Sequence, residues 1–166
     1  MTAAVDQGGP MGHIRYASDV GAPVEVAFTY ADNHRFVPDW MFGVAGFEPA
    51  GELDRGRGAV FSTSARFGPW RSRLECEITD YRRNVVIGYT LRGRLAGRLT
   101  LRFDPLGYGR SVLTSEADYA TPTGLLARLL ARPVESAVRA ALRRTEAQLR
   151  REIEEFHGTD LVGRIA

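Results

Sequence analysis

The spacing of apolar positions changes period twice along this chain. Residues 13–20 alternate, with Ile14, Tyr16 and Ser18 on one side and Arg15, Ala17 and Asp19 on the other, which predicts a first strand. Pro23 then sits where proline favours a helix start, and Val24, Phe28 and Ala31 supply a short apolar helical side. Asp32 and Asn33 can cap a second short helix that ends near Pro38, Asp39 and Trp40. From Gly43 the period becomes two. Strands are predicted over 43–50 and 58–67, the second with Ala59, Phe61, Thr63, Ala65 and Phe67 on one face. Residues 70–81 alternate cleanly, with Trp70, Ser72, Leu74, Cys76 and Ile78 opposed to Arg71, Arg73, Glu75, Glu77 and Thr79. Val85, Ile87, Tyr89 and Leu91 form one inner face; Leu95, Gly97, Leu99, Leu101 and Phe103 form the next. Residues 110–120 end the series, with Ser111, Leu113, Ser115, Ala117 and Tyr119 aligned. Turns such as Gly68-Pro69, Arg83-Asn84 and 105–109 leave room only for antiparallel neighbours. One apolar and one charged face imply a sheet covered on a single side.

The period then returns to the helical one. Val134, Ala137, Val138, Ala141, Leu142, Thr145, Leu149, Ile153 and Phe156 step by threes and fours over 133–156. Residues 122–131 read as a short helix, with Pro133 either interrupting it or opening the long one. Gly158 is a natural stop, and 159–166 are expected to fray. The expectation is an α+β domain: a curved antiparallel sheet of about seven strands, two short helices after the first, and a long C-terminal helix across the concave face. Such a helix leaves a hollow beneath it unless side chains fill the space.

Several inward positions are not aliphatic. Thr63, Ser72, Cys76, Tyr89, Ser115 and Tyr119 share faces with apolar residues. A buried hydroxyl without a partner costs about 1–3 kcal/mol, so several on one face suggest a wet or ligand-filled interior. Trp40 and Trp70 are either core residues or pocket walls. Cys76, mid-strand on an apolar face, reads as a small buried hydrophobe rather than a nucleophile. Glu75, Glu77, Glu116 and Asp118 fall on the outer face with Arg71, Arg73, Arg98 and Arg102, which predicts cross-strand ion pairs rather than a catalytic carboxylate pair. His157 is expected to sit at the end of the long helix, and His13 and His34 lie in other elements. Neither Gly56-x-Gly58 nor Gly107-x-Gly109 continues into a dinucleotide fingerprint.

Composition narrows the classes. At 166 residues and 44% hydrophobic content the chain is expected to be one globular domain over 13–157, with flexible segments at 1–12 and 158–166. No apolar run approaches the roughly 20 residues of a membrane span, and residues 1–10 lack the basic flank and apolar core of a secretory signal. The single cysteine makes no internal disulfide, no His/Cys cluster suggests a metal, and the cytoplasm is the simplest compartment. All 22 basic residues are arginine, yet a net charge of +2 gives no reason to expect nucleic acid. No exposed apolar patch is evident from the pattern.

The order of elements resembles the helix-grip fold of the START/Bet v 1-like (SRPBCC) superfamily, in particular its bacterial polyketide cyclase/dehydrase and lipid-transport group. Ala22-Pro23-Val24-Glu25-Val26-Ala27-Phe28 resembles the entry into that fold's first helix, and Asp39-Trp40-Met41 the close of its second. Gly56-Arg57-Gly58-Ala59-Val60-Phe61 is similar to its glycine-led hairpin. Gly109-Arg110-Ser111-Val112-Leu113, with a helix from Leu125, is similar to its last strand and grip helix.

The resemblance implies a deep pocket for an apolar or aromatic small molecule, polyketide- or lipid-like, between sheet and long helix. Its expected wall on the sheet is Phe61, Thr63, Trp70, Ser72, Leu74, Cys76 and Tyr89, continued by Leu99, Leu113, Ser115 and Tyr119. Trp40 stands at its mouth, and Leu126, Leu130, Val134 and Val138 lie above. The alternative is an aromatase/cyclase acting on a poly-β-ketone, with Tyr89, Ser72, Ser115 and Tyr119 as weak candidates to polarise a carbonyl or relay a proton, and Arg66 and Arg35 near an opening. An acyl carrier protein is then an expected partner. No cofactor or metal is called for, and the chain is expected to be a monomer or homodimer.

Overall fold

The structure, a computed structural model, describes residues 11–67, 69–93 and 96–165, without the side chains of Phe67, Trp70 and residues 159–165. Strand β1 spans Met11–Val20, so Met11 and Gly12 belong to it rather than to a lead-in. Pro23 caps α1, Val24–Asp32, its carbonyl accepting from the amides of Val26 and Ala27. The Asn33 side chain accepts from the Arg35 amide and starts a 3-10 turn, His34–Phe36, which runs into α2, Val37–Trp40, with Pro38 in its first turn.

Six strands follow as a meander: β2 Val44–Pro49, β3 Val60–Phe67, β4 Trp70–Arg82, β5 Val86–Arg92, β6 Gly97–Gly107 and β7 Arg110–Ala120. With β1 added beside β7, they make one seven-stranded antiparallel sheet in the order β1-β7-β6-β5-β4-β3-β2. Register shifts at Gly46 and Thr79 bend it, and Gly46 takes a φ of 72° that suits glycine. This is the α+β helix-grip architecture the sequence implies.

The inner face follows the predicted alternation over most of its length. Ile14, Phe61, Thr63, Ala65, Leu74, Cys76, Ile78, Ile87, Tyr89, Leu99, Leu101, Phe103 and Leu113 are all buried. Leu95 lies outside the described residues. Val85 is exposed and Val86 buried, against the expected phase at the start of β5. On the outer face Thr100 and Thr114 are buried too. They are short side chains in central strands, paired through the register with Glu116 and Arg102, whose longer stems rise beside them. Of the expected outer pairs, Glu116 with Arg102 is present; Glu77 pairs instead with Arg92, Glu116 also with Arg15, and Asp118 with His13 at 2.7 Å.

The long helix differs most from expectation. Helix α3 is continuous from Ala127 to Ile165: Pro133 lies inside it, and it passes through Gly158. Residues 122–126 form a bend and turn leading into α3 rather than a separate helix, and the Leu126 carbonyl accepts from the Leu130 amide as α3 begins. Proline six residues after the helix start removes one amide donor close to the end, where tertiary packing on the rest of a 39-residue helix easily outweighs it. His157 is therefore mid-helix, and its environment is not a helix C-terminus.

Candidate functional site

The two halves of α3 live in different surroundings. Leu142, Thr145, Leu149 and Ile153 are buried, and the Thr145 hydroxyl accepts from the Phe42 amide at 3.1 Å. Here the helix grips. Beneath it Trp40, Tyr89, Phe61, Phe47, Phe28 and Phe103 are packed as offset and edge-on pairs, such as Phe47–Phe61 at 4.4 Å and Phe28–Phe103 at 5.5 Å. That end of the interior is filled with side chains. Helix α1 closes it, and the Ser111 hydroxyl donates to the Ala22 carbonyl at 2.8 Å.

Toward the other end, where β1 and β6 begin and β5 and β7 finish, burial falls. Tyr16, Ser72, Leu91, Ala117, Tyr119 and Val138 face inward yet are only half-buried. Tyr119 lies across Gly12 so closely that any β-carbon there would collide with its ring. This end is bounded by the β3–β4 and β5–β6 turns and the β7–α3 connection.

Two polar atoms in this interior have no partner. Trp40 Nε1 and Ser115 Oγ are buried and make no hydrogen bond among the described residues. Trp40 comes from α2 and its ring centroid stands 6.3 Å from that of Tyr89. Ser115 comes from β7, between Tyr16 of β1 and Leu101 of β6.

The sequence candidates divide by depth. Trp40, Phe61, Thr63, Leu74, Cys76, Tyr89, Leu99, Leu113 and Ser115 are buried; Thr63 is committed to the Gly46 carbonyl at 2.7 Å. Burial pushes the Cys76 thiol up to about 12 and the Tyr89 phenol well above its ordinary range, so neither ionises near neutrality. Ser72 and Tyr119 are half-buried, as are Val134 and Val138. The Trp70 side chain lies outside the described residues. Leu130 is 45% exposed, and Arg66 and Arg35 are both exposed. Arg66 follows Ala65 on the opposite face of β3, while Arg35 borders a surface concavity of about 410 Å³ with His34, Pro38 and Glu48.

One group escaped the sequence reading. Tyr16 of β1 accepts hydrogen bonds from Arg143 Nε at 3.0 Å and Arg139 at 3.3 Å, both from α3. Arg143 also covers its ring, with the guanidinium carbon 5.2 Å from the centroid. Partial burial acts to raise the Tyr16 phenol, but the hydrogen bonds and charges of the two guanidinium groups prevail and hold it below its ordinary value. Beside it Ser18 hydrogen-bonds Glu146. Alternation had put Tyr16 on the inner face, but the helical partners arrive from more than a hundred residues away, and only tertiary structure joins them.

Among the described residues, no group of three or more His, Cys, Asp or Glu is placed to hold a metal, and no helix is long and apolar enough to cross a membrane. No curated protein matches the chain in sequence. Solved structures share its fold at low identity. The Thermus thermophilus protein TTHA0849 superposes with a TM-score of 0.73 at 15% identity, over 86% of this chain and 97% of its own. The Zhui aromatase/cyclase from Streptomyces sp. R1128 does so at 0.71 and 18%, over 87% and 94%. Norcoclaurine synthase from Thalictrum flavum, in complex with dopamine and hydroxybenzaldehyde, does so at 0.66 and 14%, over 93% and 94%. The helix-grip order of elements and a family-model match across residues 11–154 agree: this chain belongs to the polyketide cyclase/dehydrase and lipid transport family.

Proposed function

We propose that the protein binds a small apolar or aromatic molecule carrying oxygen atoms, polyketide- or lipid-like, between the open end of the sheet and α3. The observation that carries this reading is the pair of partnerless buried groups, Trp40 Nε1 and Ser115 Oγ. An indole N–H can only donate, so it calls for an acceptor; a hydroxyl can do either. A ring-bearing molecule with a carbonyl or phenol oxygen would satisfy the Ser115 hydroxyl while covering Leu91, Ala117, Tyr119 and Val138; to reach Trp40 Nε1 as well it must extend into the aromatic-packed end. Members of the same fold that act on or hold aromatic molecules support this choice of ligand class.

The test is native mass spectrometry of the protein purified from its own source, with fluorescence titration by 2-naphthol. A bound small molecule released on denaturation, or saturable 2-naphthol binding weakened by Ser115→Leu without loss of the far-ultraviolet spectrum, is expected. Absence of any adduct together with unsaturable 2-naphthol quenching would overturn the reading.

A second reading, an aromatase/cyclase step on a poly-β-ketone, is favoured by Tyr16. A phenol held by two guanidinium groups is a strengthened donor to a carbonyl oxygen, and its phenolate is stabilised once the proton has gone. An acyl carrier protein would deliver such a chain. Turnover of a carrier-bound poly-β-ketone that falls at least tenfold in Tyr16→Phe is the expected sign of it.

A further inference from the structure

The first turns of α3 are built the wrong way round for a helix that only closes a pocket. Leu125 is fully exposed, Leu129 is 72% exposed and Leu126 is 59% exposed, with Leu130 beside them. Counting about 100° per residue, Leu126, Leu129 and Leu130 fall on the half of the helix opposite Leu142, the side turned away from the sheet. Pro133, Ser136 and Ala140 continue that outward stripe. Ala127, Val134 and Val138, turned toward the sheet, are only half-buried. Four leucines displayed together exceed the scattered apolar exposure of an ordinary surface.

The flank of this stripe is cationic. Arg128, Arg132, Arg139 and Arg143 align along one side of the helix by the same count. Residues 127–144 hold five arginines against one glutamate, whereas 145–158 hold two arginines against four glutamates. Of those five arginines, only Arg139 meets a carboxylate among the described residues, Glu135 at 2.9 Å. Farther along, Arg139, Arg143 and Arg144 surround a surface concavity of about 360 Å³ floored by Ser136 and Ala140. Arg143 is braced by Tyr16, and Arg144 by the face of Phe42, 5.0 Å from its centroid.

We infer that the start of α3 seats this protein on an anionic lipid surface, its leucines entering the acyl boundary and its arginine row lying in the headgroup layer. An outward apolar stripe flanked by arginine is the pattern of a helix that lies in a membrane interface without crossing it. The leucines stand on a convex helical ridge, which suits a deformable lipid layer better than a preformed groove. Self-association would bring two cationic segments together, whereas an anionic surface complements them. The concavity among the three arginines is of a size for a phosphate headgroup. The open end of the interior adjoins this segment, so docking would place the half-buried inner face beside the lipid. The inference does not depend on which molecule that interior holds.

The experiment is co-sedimentation of the purified full chain with sucrose-loaded vesicles of phosphatidylcholine, alone or with one third phosphatidylglycerol. Binding is expected only to the anionic vesicles and should weaken with salt. Leu126→Ser/Leu129→Ser should weaken it at least roughly tenfold, and Arg128→Gln/Arg132→Gln roughly fivefold per arginine. Neither variant should lower the melting temperature, because none of these side chains is buried. The inference is overturned if the native chain ignores anionic vesicles, if it binds neutral ones equally, or if the leucine variant binds like the parent. It is also overturned if light scattering shows a dimer that the leucine variant abolishes, or if an acidic acyl carrier protein occupies the leucine surface and vesicles do not.

Discussion

Ser115→Ala should make this protein more stable and a poorer binder. Ser115 is wholly buried in β7, and among the described residues its hydroxyl makes no hydrogen bond. Folding therefore strips that hydroxyl of water without replacing the bonds, a cost of about 1–3 kcal/mol. Alanine removes the cost and keeps the β-carbon. What it forfeits is the dispersion contact of a single atom, about 0.5 kcal/mol for a few neighbours. The net gain is about 1 kcal/mol, or a rise of about 2–4 °C in melting temperature for a domain of this size. The control lies four residues upstream on the same strand. Ser111 is equally buried, but its hydroxyl donates to the Ala22 carbonyl at 2.8 Å. Ser111→Ala leaves that carbonyl unpaired and should cost about 1–3 kcal/mol. The two variants, made in parallel and melted by circular dichroism without ligand, should move in opposite directions. With a saturating ligand the order for Ser115 should reverse, since the parent gains more from binding. If Ser115→Ala is destabilised by as much as Ser111→Ala, the hydroxyl has a partner, and the argument for a ligand acceptor at this point fails.

Further expectations follow from the same structure. Leu149→Ala, at a wholly buried position on the gripping half of α3, should cost about 2–5 kcal/mol, whereas Leu129→Ala should change stability by less than about 0.5 kcal/mol; urea melts compare them directly. Gly12→Ala should displace the Tyr119 ring from its place across β1 and alter ligand binding more than stability, read by fluorescence titration beside a melt. In alkali, burial and the neighbouring Asp32 push the Tyr81 phenol up to about 12, and burial and Glu152 raise Tyr30. Folded values above the unfolded one mean that their contribution is complete below the unfolded pKa near 10 and declines as pH rises toward the folded value. Tyr16 is depressed, so its contribution runs the other way and grows as pH climbs from its folded value to the unfolded one. A spectrophotometric phenol titration should therefore lose its earliest-ionising step in Tyr16→Phe, and one of its late steps in each of Tyr30→Phe and Tyr81→Phe, with Tyr89 still late in both.

The sheet was legible because alternation is a local code. Phe61, Thr63 and Ala65, or Leu99, Leu101 and Phe103, state their face within a few residues of themselves, and short turns leave only one pairing. Where the reading slipped, a non-local effect had outweighed a local one. Pro133 and Gly158 are local break signals, and both are overridden in a helix anchored by Leu142, Leu149 and Ile153. Thr100 and Thr114 look like solvent positions but sit under their cross-strand neighbours in the middle of the sheet.

The site was less legible than the fold for a related reason. A polar residue on an apolar face announces that something unusual happens there, but not whether a partner exists. Thr63 and Ser115 look alike in sequence; the first finds the Gly46 carbonyl and the second finds no partner among the described residues. Likewise Tyr16 reads as an ordinary strand residue until Arg139 and Arg143 descend on it from α3. The same helix explains both outcomes. Its acidic second half is spent on gripping the sheet, and that end of the interior is filled. Its cationic first half makes little core, leaves the inner face half-buried, and turns its leucines outward. A helix needed only for stability would bury those leucines, since each buried one contributes about 1.5–3 kcal/mol. Displayed beside arginines and next to the half-buried end of the inner face, they put the proposed ligand entry and the proposed surface docking on one stretch of chain, residues 125–144.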